Sequence, residues 1–238
     1  MSEAAVATVR RDAEQGQAAA ALRRTMVERQ LRPFDVTDVP LLARFLEIPR
    51  ELFLPASQAP LAYSDLAITV NGAGGNKRTL LPPLVLARLL QGGEPRPGER
   101  ALDIGGAGYS AALLAGLVGE VVALESDPEL AARAKDGLSA LGAANARVVT
   151  GPHQQGFAAA APYDVIFVHG AVEAGLDTLF AQLTPNGRLL AIVTPETGAG
   201  QHVVRFERQD GQLAGRISLL SANAPVLEGF AKAPSFVF

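Results

Sequence analysis

One stretch of the sequence decides the fold class: Asp103-Ile104-Gly105-Gly106-Ala107-Gly108-Tyr109. It follows a short apolar run over 100–104 and precedes a helical run from Ser110 to Leu117, so it predicts a strand, a glycine turn and a helix N-terminus. Glycines in such a turn let a ligand approach the backbone, and the first amides of the helix offer hydrogen-bond donors. The stretch therefore predicts a ligand site at the end of a strand.

A carboxylate follows at the spacing that a nucleotide-binding fold uses for its ribose. The next predicted strand ends at Glu125, 20 positions after Gly105, and one carboxylate can accept from both ribose hydroxyls. The glycine run lacks the full G-x-G-x-x-G spacing that brings a pyrophosphate onto the helix, which favours a ligand without phosphates. The alternative is a structural tight turn and a solvent-exposed Glu125.

Apolar runs alternate with helical segments on both sides of the turn. This alternation predicts an α/β fold with a doubly wound, mostly parallel Rossmann-like sheet, and the last two strands are expected to be antiparallel. The expected strands are Arg100–Ile104, Val121–Glu125, Ala146–Val149, Val165–His169, Arg188–Val193, Val203–Glu207 and Arg216–Leu220.

The N-terminal part is expected to be a helical extension of this domain. We divide the chain into a mobile tail (1–20), a helical cap with a substrate loop (21–95) and the α/β domain (96–238). Amphipathic spacing predicts helices at Ala21–Leu31 and Val39–Leu46. The glycine-rich segment from Val70 to Arg78 predicts a flexible polar loop before a helix that starts near Pro82 or Pro83.

Composition removes several function classes. The net charge of −3 gives no broad basic field for nucleic acid, and the absence of cysteine excludes disulfides and thiolate chemistry. Three dispersed histidines do not form a metal motif. No apolar run approaches a signal peptide or a membrane span, so we expect a soluble cytoplasmic protein without nucleic-acid or membrane partners.

Several ordered blocks resemble the protein-L-isoaspartate O-methyltransferases, a family of class I methyltransferases. The N-terminal blocks are Met26 to Arg32, Ile48 to Pro55 and Ala62 to Asp65. The later blocks are Ala101 to Ala112, Val121 to Pro128, Ala161 to Ile166 and Leu183 to Leu189. The resemblance implies S-adenosylmethionine as cofactor and, as partner, a peptide or protein that bears an isoaspartyl residue.

The same resemblance implies the residues that would hold the cofactor. Asp103 and the Gly105–Gly108 turn would hold its methionine end, and Glu125 would hold its ribose. The full set of cofactor-binding candidates is Asp103, Gly105, Gly106, Ala107, Gly108, Tyr109, Glu125, Ser126 and His153.

Two positions depart from the family pattern. Gly-Asp-Gly in the family corresponds to Gly151-Pro152-His153 here, and Pro152 offers neither a side-chain acceptor nor a backbone donor. Thr-Ile-Ser in the family corresponds to Thr79-Leu80-Leu81, so Leu81 replaces a serine. A hydroxyl there would bind or orient the isoaspartyl carboxylate, whereas leucine offers only apolar surface.

Thr79 and His169 are the catalytic candidates. His169 ends the fourth strand, where it would contact substrate, act as a general base for a less acidic nucleophile, or simply cap a loop. The substrate-binding candidates are Tyr63, Asp65, Lys77 and Arg78. Lys77 and Arg78 would receive an acidic group or remain a solvated pair on a mobile loop.

Three functions remain open at this stage. The first is methylation of a carboxylate of damaged aspartyl residues in proteins, which is protein repair. The second keeps the cofactor and changes the acceptor, as the Leu81 substitution favours. The third is a catalytically silent binding or interaction protein, as the changes at Pro152 and Leu81 favour.

Overall fold

The computed structural model describes residues 16–195 and 200–233. Seven strands form the main sheet in the order β5-β4-β3-β6-β7-β8-β9. Their bounds are Arg100–Ile104 (β3), Glu120–Glu125 (β4), Ala146–Thr150 (β5), Tyr163–Val172 (β6), Leu183–Val193 (β7), His202–Gln209 (β8) and Gln212–Ser221 (β9). Strands β3 to β7 run parallel and β8 and β9 are antiparallel, so the predicted fold class is confirmed.

Alternate residues of each central strand enter two hydrophobic cores, one on each face of the sheet. Ala101 of β3 and Phe167 of β6 belong to the first core, and Leu102 and Ile166 belong to the second. Both faces are covered, which explains why these strands read as almost continuous apolar runs.

Six α-helices occur in the described ranges: residues 16–26 (α1), Val39–Glu47 (α2), Pro83–Gly92 (α3), Tyr109–Leu114 (α4), Pro128–Ala140 (α5) and Asp177–Ala181 (α6). A π-helical turn, Val27–Leu31, continues α1. Asp38 caps α2, because its side chain accepts from the Leu41 amide. Asp127 caps α5 through the amides of Glu129 and Leu130.

The glycine-rich segment is a β-hairpin rather than the flexible loop that we predicted. Strand β1 (Ile68–Asn71) pairs antiparallel with β2 (Lys77–Leu80), and residues 72–76 form the turn. Burial alternates along both strands, so the hairpin turns one face towards the protein, with Ile68, Val70 and Leu80 as its apolar residues and Arg78 as its charged one.

Of the predicted mobile tail, residues 1–15 lie outside the described ranges and residues 16–20 are helical. Within residues 16–195 and 200–233, none of the helices combines the length and hydrophobicity that a membrane span requires.

Candidate functional site

The site lies at the carboxyl ends of three adjacent strands, β4, β3 and β6. In an open α/β sheet, the crevice beyond these ends is where ligands bind. The neighbouring order β4-β3-β6 brings Glu125, Asp103 and His169 to one edge, although they are far apart in sequence.

The glycine turn after β3 is closely packed by neighbouring side chains. Gly105 has a φ of 70°, a backbone conformation that glycine adopts without strain. A Cβ atom on Gly106 would lie 1.8 Å from Ser110 Oγ and 2.6 Å from Asp103 Oδ2. Position 106 therefore requires glycine, because Ser110 and Asp103 already occupy the place of a Cβ atom.

Tyr109 points away from this turn into the core. Its ring packs against Phe45 and Phe53, and the Arg50 guanidinium lies 5.1 Å from the ring centroid. Burial raises the pKa of the Tyr109 hydroxyl. These contacts are those of a core residue. They give no support to the prediction that Tyr109 binds the cofactor.

Asp103 binds two side chains within the protein. Ser110 Oγ donates to its Oδ2 at 2.7 Å, and His169 Nε2 lies 2.5 Å from its Oδ1. All three residues are buried. Asp103 thus fixes the orientation of the His169 ring, whose edge borders a cavity at the sheet edge.

Glu125 is bound by the guanidinium of Arg78 from the hairpin. Arg78 Nε donates to Oε2 at 2.9 Å and to Oε1 at 3.1 Å, and Nη2 also donates to Oε1. The two side chains are only 2% and 4% exposed. The expectation of a solvated Lys77–Arg78 pair is therefore wrong for Arg78, because its charge is matched inside the protein; Lys77 is exposed.

The acidity of Glu125 follows from these neighbours. Burial alone would raise its pKa, but hydrogen bonds from His153 and Arg78 outweigh burial and lower the pKa to about 2. Glu125 Oε1 also accepts from the amides of Ser126 at 2.8 Å and Asp127 at 3.2 Å. Glu125 is therefore a preformed anion at neutral pH.

His153 supports the loop after β4. Its Nε2 lies 3.2 Å from the Ser126 amide nitrogen and 3.5 Å from Glu125 Oε1. Its Nδ1 is buried and has no hydrogen-bond partner in the described structure. Pro152, beside it, is exposed.

Two cavities flank Glu228, a residue of the C-terminal segment. One of about 360 Å³ is bordered by Lys77, Arg78, Thr79, Leu81, His169 and Leu227 among others. The other, of about 380 Å³, is bordered by Ser126, Pro152, His153 and Gln154 among others. Glu228 lines both and accepts from Ser126 Oγ at 2.8 Å. Leu227 stands over the glycine turn, with a methyl group 3.0 Å from where a Cβ of Gly105 would be.

The structure brings most, but not all, of the predicted site residues together. Thr79, Lys77, Arg78 and His169 border the 360 Å³ cavity, whereas Tyr63 and Asp65 do not. The Tyr63 hydroxyl donates to Glu51, so its polar group is bound within the protein.

Sequence reasoning missed Ser110, Leu227 and Glu228. Ser110 follows the quoted stretch directly, so a hydroxyl seven residues after Asp103, in the first turn of the helix, was a readable signal. Leu227 and Glu228 carried no signal, because only tertiary structure returns them to the turn. In the described part of the chain, no group of three or more His, Asp or Glu side chains is arranged to hold a metal ion.

Comparisons with known proteins agree with this geometry. A family model for protein-L-isoaspartate(D-aspartate) O-methyltransferase matches residues 25–227. A protein-L-isoaspartate O-methyltransferase from Methanoculleus marisnigri is 36% identical over 80% of this chain and 84% of its own length. A relative of the same name from Koribacter versatilis is 38% identical, with the same coverage of both chains.

Solved structures show the same likeness. A protein-L-isoaspartate O-methyltransferase structure has a TM-score of 0.76 at 29% identity, covering 87% of this chain and 66% of that one. A putative protein-L-isoaspartate O-methyltransferase from Plasmodium falciparum, in complex with S-adenosyl-L-homocysteine, shares the fold at a TM-score of 0.71 and 17% identity, over 88% and 98% of the two chains. The chain therefore belongs to the protein-L-isoaspartate(D-aspartate) O-methyltransferase family and is an O-methyltransferase with S-adenosylmethionine as its methyl donor.

Proposed function

We propose that this enzyme methylates a carboxylate of isoaspartyl or D-aspartyl residues in damaged proteins, as a step of protein repair. The observation that carries the proposal is the match of residues 25–227 to the family, together with relatives of that name aligned over 80% of the chain. Its partner is then a protein or peptide that bears an isoaspartyl residue. The cytoplasmic location predicted from the sequence belongs to the same proposal.

The residues at the sheet edge fit S-adenosylmethionine in their chemistry. Glu125 supplies an ionised carboxylate for ribose hydroxyls, and the glycines of the turn place no side chain between the backbone and a ligand. Both oxygens of Asp103 already have partners. We therefore assign the methionine end to the backbone of the turn, and we assign to Asp103 the orientation of His169.

The acceptor is proposed to enter the 360 Å³ cavity. When bound, S-adenosylmethionine supplies a methyl group on a cationic sulfonium, and a carboxylate accepts it without first losing a proton. The task left to the protein is positioning. Lys77 and Thr79 offer donors to an anionic acceptor, and Leu81 and Leu227 form apolar walls that exclude water.

A second candidate function is methylation of a hydroxyl or an amine. The observation that favours it is the pair formed by His169 and Asp103, since a histidine held by a carboxylate is the usual arrangement of a general base. Leu81, only 2% exposed, offers a carboxylate no hydrogen bond from its side chain.

Methyl transfer to a matched pair of peptides separates these functions. We would incubate the enzyme with methyl-labelled S-adenosylmethionine and either an isoaspartyl peptide or its aspartyl isomer. The proposal expects base-labile label, the mark of a methyl ester, on the isoaspartyl peptide only. Base-stable label on another acceptor would favour the second candidate. No transfer, with no binding of S-adenosylhomocysteine, would favour the silent binding protein.

A further inference from the structure

Arg78 uses almost all of its hydrogen-bonding capacity inside the protein. Besides the contacts with Glu125, its Nη2 donates to Ser126 Oγ and its Nη1 donates to the Lys77 carbonyl, both at 3.0 Å. Only 2% of its side chain is exposed. A bidentate, buried guanidinium–carboxylate pair is a specific arrangement, unlike a surface ion pair.

This arrangement conflicts with the role assigned to Glu125. Its Oε1 accepts from Arg78 and from the amides of Ser126 and Asp127, and its Oε2 accepts from Arg78. A carboxylate has about four lone-pair positions, so few remain for two ribose hydroxyls. The hydroxyls can bind Glu125 fully only if Arg78 withdraws.

We propose, on the basis of the proposed function, that Arg78 exchanges partners during the reaction cycle. Without cofactor, it binds Glu125 and competes with the ribose. With cofactor, the ribose hydroxyls take Glu125, and Arg78 turns into the 360 Å³ cavity to bind an anionic group of the methyl acceptor. The exchange makes S-adenosylmethionine the first ligand to bind and the anionic acceptor the second.

The surroundings of the cavity favour an anion there. Its cationic residues are Lys77 and Arg78, and Asn76, Thr79 and His169 add polar side chains. Glu228 is the only carboxylate among its lining residues, lies 3.9 Å from Arg78 Nη2 and is 58% exposed. Glu228 Oε2 already accepts a hydrogen bond from Ser126 Oγ. Because Glu228 is exposed to solvent, its attraction for a released Arg78 is weak compared with that of a bound anion.

Arg78 can also supply the hydrogen-bond donor that Leu81 lacks. Both residues border the same cavity, three positions apart on the segment that ends β2 and precedes α3. A guanidinium binds a carboxylate more strongly than a neutral hydroxyl does, because its hydrogen bonds are charge-assisted and bidentate. The chain thus replaces a neutral donor by a cation that the cofactor releases.

Calorimetric titration with S-adenosylhomocysteine tests the first half of the exchange. The apparent affinity for a ligand is reduced in proportion to the fraction of molecules whose site is free to bind it. Removal of the contact between Arg78 and Glu125 frees the site, so we expect Arg78→Gln to bind S-adenosylhomocysteine at least about tenfold more tightly than the wild type. Arg78→Lys retains a cation but loses the bidentate fork, so its affinity should fall between the two. Arg96→Gln, which removes an exposed cation elsewhere, should leave the affinity unchanged.

Steady-state kinetics with an isoaspartyl peptide test the second half. We expect Arg78→Gln to raise KM for the peptide by about tenfold, and Arg78→Lys to raise it less. Opposite changes in the two affinities are the signature of an exchange, which loss of a merely structural ion pair would not produce. Thermal unfolding of each variant verifies that it is folded.

Three results would overturn the exchange. Arg78→Gln binds S-adenosylhomocysteine no more tightly than the wild type does, or neither protein binds it. In the third, Arg78→Gln binds it more tightly but has the same KM for the peptide as the wild type. Tighter binding in a protein that methylates no isoaspartyl peptide would instead overturn the proposed function and leave the competition at Glu125 intact.

Discussion

At the scale of single residues, Leu81 is the position that most directly tests the acceptor. It is buried at the wall of the 360 Å³ cavity, and its carbonyl accepts from Arg50 Nη2 at 2.8 Å, so the backbone there is held in place. A side-chain hydroxyl at this position would add a donor to the cavity wall at a backbone position that is held in place. We expect Leu81→Ser to raise kcat/KM for an isoaspartyl peptide by about tenfold, the worth of one hydrogen bond to a charged group.

Leu81→Ala is the control, because it removes the same apolar bulk without adding a donor. Both variants lose buried hydrophobic surface, so both should be less stable than the wild type, by about 2–4 kcal/mol. Equal activities of the two variants would contradict a role for the hydroxyl. Assays at a temperature well below both unfolding midpoints keep stability out of the comparison.

His169 distinguishes a carboxylate acceptor from a neutral one. A carboxylate needs no base, so under the proposed function His169→Gln should lower kcat by no more than about tenfold through altered positioning. A hydroxyl or amine acceptor needs its proton removed, and loss of a general base typically costs about 10²–10⁴-fold. The measurement is kcat for the best acceptor across pH 6–9, with Ser110→Ala as a variant that disturbs Asp103 but keeps the imidazole.

At the scale of elements, Asp127 couples the hairpin to the main domain. Its Oδ1 caps α5, and its Oδ2 accepts from Asn76 Nδ2 at 3.0 Å. A Cβ on Gly72 would lie 2.6 Å from the same carboxylate, so the hairpin turn packs closely on it. One side chain therefore fixes both the start of α5 and the strand that carries Arg78.

We expect Asp127→Ala to lower the free energy of unfolding by about 1–2 kcal/mol, because the helix loses its cap. Asp127→Asn retains an acceptor for the helix amides and should cost less than about 0.5 kcal/mol. Urea denaturation followed by circular dichroism measures both. An Asp127→Ala protein as stable as the wild type would show that neither the cap nor the hairpin contact stabilises the fold.

Strands and helices were predicted well where the sequence itself marks their ends, and poorly where it does not. Strand β3 was predicted with its observed bounds, because its apolar run ends at an unmistakable glycine turn. The hairpin was missed because the glycines of its turn outweighed the β-branched run Ile68-Thr69-Val70, which was the available strand signal. The expected bounds of β6 and β7 were too short by several residues at polar or irregular ends.

The contacts between residues of the site were harder to predict than the residues themselves. Glu125 and Asp103 were identified from spacing and from the glycine turn, but the partners Arg78 and His169 come from other elements. His169 follows the register pair Ile104–Val168 of adjacent strands, so knowledge of the doubly wound strand order would have predicted its contact with Asp103. The contact of Arg78 with Glu125 depends on the hairpin, and the glycine-rich sequence there predicts a loop instead.

At the scale of the whole molecule, the Arg78–Glu125 pair joins the N-terminal region to the α/β domain through a buried charge contact. Removing one partner of such a pair leaves the other charge buried and uncompensated, which typically costs about 3–5 kcal/mol. Glu125→Gln should therefore be markedly less stable than the wild type at pH 7. Glu120→Gln is the matched control, because Glu120 pairs with Arg100 and Arg147 at a partly exposed site where the expected loss is below about 1 kcal/mol.

The difference in unfolding free energy between the wild type and Glu125→Gln should disappear in a defined acidic pH range. The pKa of Glu125 is about 2 in the folded protein, because the hydrogen bonds from His153 and Arg78 outweigh the opposing effect of burial, and its ordinary value is 4.5. A carboxyl group whose pKa is lowered by folding stabilises the folded state above its unfolded pKa, and that stabilisation is lost as the pH falls towards the folded pKa. The gap in unfolding free energy between wild type and Glu125→Gln should thus be constant above about pH 5 and shrink steadily between pH 4.5 and pH 2. Urea denaturation of both proteins at pH 7, 4.5, 3.5 and 2.5 measures the gap, and a gap independent of pH would show that Glu125 is not held as an anion by Arg78.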